Sequence, residues 1–181
     1  ERSRGSEMCI RDSCKDYKPL NVYGQTKLEG ELAVSQTLEK YFIVRIAWVF
    51  GLNGKNFIKT MLNVGKTHDT VRVVNDQIGT PTYARDLARA IFTAIYKGVV
   101  PGVYHFSDEG VCSWYDFTKA IHRIAGITTC KVSPLHTNEY PAKAPRPHYS
   151  VLDKTKIKTT YNIEIPHWEE SLEACIKELN A

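Results

Sequence analysis

No glycine-rich GxxGxxG turn occurs anywhere in the chain. The sequence therefore offers no such loop to set a pyrophosphate on a helix N-terminus. Cys9, Cys14, Cys112, Cys130 and Cys175 are widely spaced, odd in number and form no CxxC step. That spacing argues against a disulfide framework and for reduced thiols in a cytoplasmic protein. The six histidines show neither HxH nor HExxH spacing, and no second carboxylate lies at ligand spacing from Asp76, so no metal is expected. Basic residues make no run or stripe and the net charge of +4 is scattered, which disfavours a nucleic-acid partner. The apolar stretch YFIVRIAWVF is broken by Arg45 and is too short for a membrane span. It reads as a buried strand.

What is present suffices for a folded domain. With 181 residues, 43% hydrophobic and 24% charged, the chain can bury a normal core as one domain, or one plus part of another. Residues 1–13, ERSRGSEMCIRDS, have no periodicity and alternate charge signs. They read as a non-native, adapter-derived leader, the alternative being a short disordered natural terminus, and they are set aside from fold reasoning.

From Pro19 onward helix and strand signals alternate. Pro19 and Asn21 mark a helix start, with Leu28, Leu32, Ser35 and Leu38 following at helical spacing. Residues 41–50 read as one continuous strand ended by Gly51. A helix over 57–64, a short strand over 70–74, the loop NDQIGTPT and a helix over 84–96 come next. A strand over 102–106 leads through a turn to Ser113, which with Asp116 forms a capping-box signature for a helix stopping at Gly126. Residues 130–132 read as a strand and the proline-rich stretch 133–150 as a loop. A last amphipathic helix carries Trp168, Leu172, Cys175 or Ile176, and Leu179 on one face. The alternation predicts an α/β fold with a mainly parallel sheet.

Tyr23 and Lys27, in NVYGQTKLEGE, stand four residues apart and so share a helix face. A phenol gives up its proton well above neutral pH, and a nearby ammonium in a dry cleft favours the ionised form. Such a pair can pass a proton to or from a sugar oxygen, and Gly24 leaves room for close approach. Spacing alone is weak evidence: with ten tyrosines, about one such pair is expected by chance. Tyr115 and Lys119 repeat the spacing, with Phe117 and Ile121 facing the core, and read as a solvated helix surface.

The string NVYGQTKLEGE, then RIAWVFG, NFIKTML and VVNDQIGTPTYARDLA, in this order, resembles the dTDP-4-dehydrorhamnose reductases, a branch of the extended short-chain dehydrogenase/reductases. The resemblance covers nearly everything after residue 16. It implies the C-terminal part of a Rossmann-like doubly wound parallel sheet plus a small substrate-binding α/β region over residues 14–181. It further implies hydride transfer from NADPH or NADH to C4 of dTDP-4-dehydro-L-rhamnose. Tyr23 would protonate the C4 alkoxide, and Lys27 would hold the nicotinamide ribose.

By the same resemblance Trp48 contacts the sugar, while Asn56 and Gln77 lie near the nucleotide and diphosphate. Taken without it, Trp48 reads as a core aromatic and the two amides as turn residues. Arg146, between Pro145 and Pro147, is the candidate fork for the diphosphate, its rival reading being an exposed surface arginine. Arg45 is expected to be ion-paired, because an unpaired charge in a sheet is costly, and Asp86 to open a helix.

The family's glycine-rich turn and the Ser or Thr of its triad are missing, so the sequence reads as a fragment whose longer parent is active and which is itself inactive. A homodimer of that parent is compatible with the resemblance. Two other readings stay open: a non-catalytic regulatory subunit like the β subunit of methionine adenosyltransferase, and another nucleotide-sugar enzyme such as a 4-epimerase.

Overall fold

The computed structural model describes residues 19, 21–142 and 144–180. The leader expected over 1–13, with Cys9, and also Cys14, lie outside the described residues. The chain runs through α1 (Val22–Thr37), β1 (Phe42–Ile46), β2 (Val49–Phe50), α2 (Phe57–Thr67), β3 (Thr70–Val74), β4 (Ile78–Gly79) and β5 (Thr82–Tyr83). It continues through α3 (Ala84–Lys97), β6 (Gly102–Phe106), β7 (Cys112–Ser113), α4 (Trp114–Ile124), β8 (Lys131–Leu135), α5 (Thr155–Tyr161) and α6 (Trp168–Leu179).

Among the described residues, three strand pairs are parallel. β1 pairs with β6 from Phe42 opposite Gly102 to Ile46 opposite Phe106, β3 with β8, and β2 with β5. The short β4 and β7 are antiparallel, with Gly79 opposite Cys112. The parallel pairs and intervening helices are the α/β arrangement expected from the alternating pattern.

Among the described residues, two clusters make the core. Phe50, Ile58, Phe117, Ile121, Leu172 and Cys175 pack α2, α4 and α6 over β2 and β5. Ala90, Ala94, Tyr104, Phe106, Ile157 and Tyr161 join α3 and α5 to β6. The Ser113–Asp116 capping box forms, satisfying orphan N–H groups at the start of α4. Asp86 lies in the first turn of α3, near the positive end of its dipole, and accepts the Ser171 hydroxyl at 2.7 Å.

Asp108, beyond the end of β6, accepts the Tyr83 N–H at 2.9 Å. Burial nevertheless pushes its carboxyl up to about 7, with Asp86 adding to the rise and Lys154 opposing it.

Helix α1 stands apart from both clusters: none of its residues is buried. It is tied down by polar contacts. Arg45 of β1 forks onto Glu31, with Nη2 at 2.6 Å from Oε2, which gives Arg45 the expected partner. The Asn21 amide donates to the Pro145 carbonyl at 3.1 Å.

Two expectations need correction, and one helix was not expected. The strand over 41–50 is interrupted at Ala47–Trp48, where the chain leaves β6 and takes β5 as its new partner. The strand expected at 130–132 extends to Leu135 through Pro134. That proline is tolerated because β8 pairs with β3 alone among the described residues, leaving one edge open. The short helix α5 is absent from the sequence reading. TKIKTTY is mostly polar, and it is anchored by Ile157 and Tyr161, one helical turn apart, before a left-handed Asn162.

Candidate functional site

Ligands in open α/β sheets bind beyond the carboxyl ends of the strands. Beyond β1 lies Trp48, and beyond β3 and β8 lie Asp76, Gln77, His136 and Thr137. The segment Pro145–Ser150 runs as a strap from the start of α1 across the chain that follows β3. Its Pro145 carbonyl holds Asn21, His148 Nδ1 lies 3.0 Å from the Asp76 carbonyl, and Ile78 N–H donates to the His148 carbonyl at 2.7 Å. Ser150 N–H then donates back to the Ile78 carbonyl at 2.8 Å.

Asn21 caps α1, its side-chain oxygen accepting the Gly24 N–H at 2.9 Å. The cap places Tyr23 and Lys27 in the first two turns. Lys27 Nζ lies 5.6 Å from the Tyr23 ring centroid, and Tyr23 is 71% exposed. The pair is therefore open to a ligand and already shares one helix face. Arg146 is exposed on the strap directly after the carbonyl that binds Asn21, so it lies beside the start of α1.

Gln77 is buried and donates to Thr137 Oγ1 at 3.1 Å. The same threonine binds Asp76 through its N–H at 3.0 Å and its hydroxyl at 2.7 Å. Burial works to raise the Asp76 carboxyl, but these Thr137 bonds and the nearby His148 hold it below its ordinary value. His136 and His148 each bring Nδ1 to 3.8 Å from Asp76 Oδ2.

Trp48 adopts a left-handed backbone with φ 46, a conformation that costs a non-glycine residue about 1–3 kcal/mol. The conformation turns the chain between its two strand partners, and Thr82 secures it. The Thr82 hydroxyl donates to the Ala47 carbonyl, and its N–H donates to the Trp48 carbonyl at 3.1 Å. The half-buried indole stacks on Trp114 with centroids 3.6 Å apart and planes at 12°. Asn56 caps α2, and its amide spans Gly51 O at 2.7 Å and Lys59 N at 3.1 Å. Both ends of that amide hold backbone. Asn56 adjoins the rest of the site through Phe57, whose ring lies 4.7 Å from Trp114.

The strap thus bonds the start of α1 to the backbone flanking Gln77, and its Ser150 and the Trp48 indole both lie against Gly79. Thr137 and Trp114 escaped sequence reasoning. Trp114 sits at the first position after a capping-box serine, a signal that marks its backbone as fixed. Nothing in the sequence pairs Thr137 with Asp76 across 61 residues.

The sequence model described as "RmlD substrate binding domain" matches residues 11–181. The spore coat polysaccharide biosynthesis protein SpsK of Bacillus subtilis is 42% identical over 160 residues, covering 88% of this chain and 55% of that protein. The crystal structure of a dTDP-4-dehydrorhamnose reductase from Clostridium acetobutylicum superposes with a TM-score of 0.90 at 43% identity, covering 98% of this chain and 62% of that one. The Bacillus anthracis dTDP-4-dehydrorhamnose reductase in complex with NADP gives a TM-score of 0.88 at 39% identity, covering 93% and 59%. The chain thus spans between 55% and 62% of the length of these three proteins.

Proposed function

Because the chain belongs to the RmlD substrate binding domain family, we propose that it carries the substrate side and acid/base pair of a reductase that converts dTDP-4-dehydro-L-rhamnose to dTDP-L-rhamnose. One observation carries the reading: the strap Pro145–Ser150 bonds the cap of the helix bearing Tyr23 and Lys27 to the backbone on either side of Gln77.

A nicotinamide dinucleotide, NADPH or NADH, supplies the hydride to C4 when bound. The residues present fit its ribose end, where the exposed Lys27 ammonium offers donors beside Tyr23. They do not fit its pyrophosphate, because the sequence has no glycine-rich turn. Turnover accordingly needs a dinucleotide-binding part beyond what these residues supply. On this reading residues 14–181 are the end of a Rossmann-like domain joined to a substrate-binding part.

Within the site Tyr23 gives its phenolic proton to the C4 oxygen as that oxygen gains charge. The ammonium of Lys27 stabilises the phenolate left behind. Trp48 packs against the hexose, and Gln77 and Arg146 face the nucleotide and diphosphate, the guanidinium suiting a bidentate contact. Asn56 acts from behind by fixing the start of α2.

A chimera joining this chain to the unmatched part of the Bacillus anthracis reductase tests the reading. It should convert dTDP-4-dehydrorhamnose with NADPH, and the chain alone should show negligible turnover. Equal conversion of UDP-hexoses would favour the 4-epimerase reading. Turnover by the chain alone would overturn the division of labour, and copurification with a synthetase in place of turnover would favour a regulatory subunit.

A further inference from the structure

We propose that Trp114, backed by Gly79, is a positioning residue that holds the Trp48 indole as a flat platform for the hexose ring of a nucleotide sugar. The inference rests on the substrate reading above and adds to it a residue remote in sequence.

Trp48 sits at the point where the chain exchanges β6 for β5, in a left-handed conformation that bulky residues avoid. A side chain projected from such a turn keeps one orientation only if its surroundings brace it. Two braces are present. The first is Trp114, stacked at 3.6 Å and 12°. The second is Gly79, where a Cβ would stand 2.6 Å from Trp48 Cε2 and 2.7 Å from Cζ2. Only a glycine lets the indole lie this close.

Trp114 is itself rigidly held. It follows Ser113, whose side chain and backbone both bond to Asp116 in the capping box, and Ser113 is paired with Ile78 in the β4–β7 ladder. Its ring meets Phe57 at 4.7 Å, and Phe57 stacks on the buried Phe117 at 5.7 Å. A column of four rings therefore runs from the core through Phe57 and Trp114 to Trp48.

The column starts in the buried Phe117, and its other three rings, Trp48 among them, are only partly buried. Trp168, by contrast, is 4% exposed and belongs wholly to the core. A partly exposed indole braced by a second ring presents an apolar, electron-rich plane, which suits the C–H face of a pyranose.

Trp114→Leu, Trp114→Phe and the unaltered chain are compared by two readouts. The first is the exciton couplet that stacked indoles give in circular dichroism, which both variants should lose. The second is the gain in affinity for dTDP-rhamnose over dTDP, measured by calorimetry. Trp114→Leu should reduce that gain about threefold to tenfold with dTDP affinity unchanged, and Trp114→Phe, which keeps an aromatic brace, should retain most of it. If Trp114→Leu fails to fold, Trp114→Met takes its place, since it keeps apolar volume without an aromatic brace and should cause the same loss. A gain present in the unaltered chain and undiminished in these variants overturns the positioning role alone. No gain in the unaltered chain overturns the substrate reading and the platform with it.

Discussion

Helices α1 and α4 carry the same Tyr-x-x-x-Lys spacing and share little else. Helix α4 buries Phe117, Thr118, Ala120, Ile121 and His122, whereas α1 buries nothing. Tyr23 is 71% exposed, with Lys27 beside it and the Arg146 strap bonded to its cap, while Tyr115 is half-buried beside a core-facing row. The spacing fixes only that two side chains share a face. Whether the face works or is simply solvated depends on what the fold brings to it, and here the fold brings a strap to α1 and a core to α4.

The contrast can be broken first at the core. Phe117→Ala, which empties the centre of the α4 cluster, should destabilise the protein by about 3–5 kcal/mol in chemical denaturation. A cost below about 1 kcal/mol would mean that α4 is no better anchored than α1.

Next in size is a pH effect in the packed region. Burial raises the Asp108 carboxyl from 3.8 to about 7, so the folded state binds this proton more tightly than the unfolded state. The stability it confers is complete below the unfolded value and is lost as pH rises through about 7. Asp108→Asn should remove a loss on the order of a few kcal/mol between about pH 4 and pH 8. Denaturation curves of both proteins across that range would show it, and parallel pH slopes would refute it.

On the α1 side, the tether is the Arg45–Glu31 fork. Glu31→Gln should lower protection of α1 amides in hydrogen exchange by about 1 kcal/mol and leave α4 unchanged, since the pair is partly exposed. Equal loosening of both helices would mean that they form one cooperative unit.

Much of the fold was legible because local signals agreed with burial. Asn21 and Ser113 cap the helices they mark, and Phe117 and Ile121 face the core at the expected spacing. The misses have physical reasons. Residues 41–50 read as one strand because β-branched and aromatic residues persist through the break, and no composition signal reports a change of strand partner at Trp48. Helix α5 has only two buried anchors, too few for periodicity. The candidate site was legible residue by residue and not as an arrangement. The strap carrying Arg146 meets the start of α1 through the Asn21–Pro145 bond, which spans 124 residues, and Thr137 and Trp114 became visible only once β3 and β8, and β4 and β7, were paired.

The most direct measurement sets the two Tyr/Lys helices against each other in the chimera, following NADPH oxidation with dTDP-4-dehydrorhamnose. Tyr23→Phe should lower kcat by about 10²–10⁴-fold. Stability should change by less than about 0.5 kcal/mol in this exposed position. Tyr115→Phe should leave kcat within about twofold. A kcat for Tyr23→Phe that stays within a few-fold of the unaltered protein would contradict the assignment of the acid to α1.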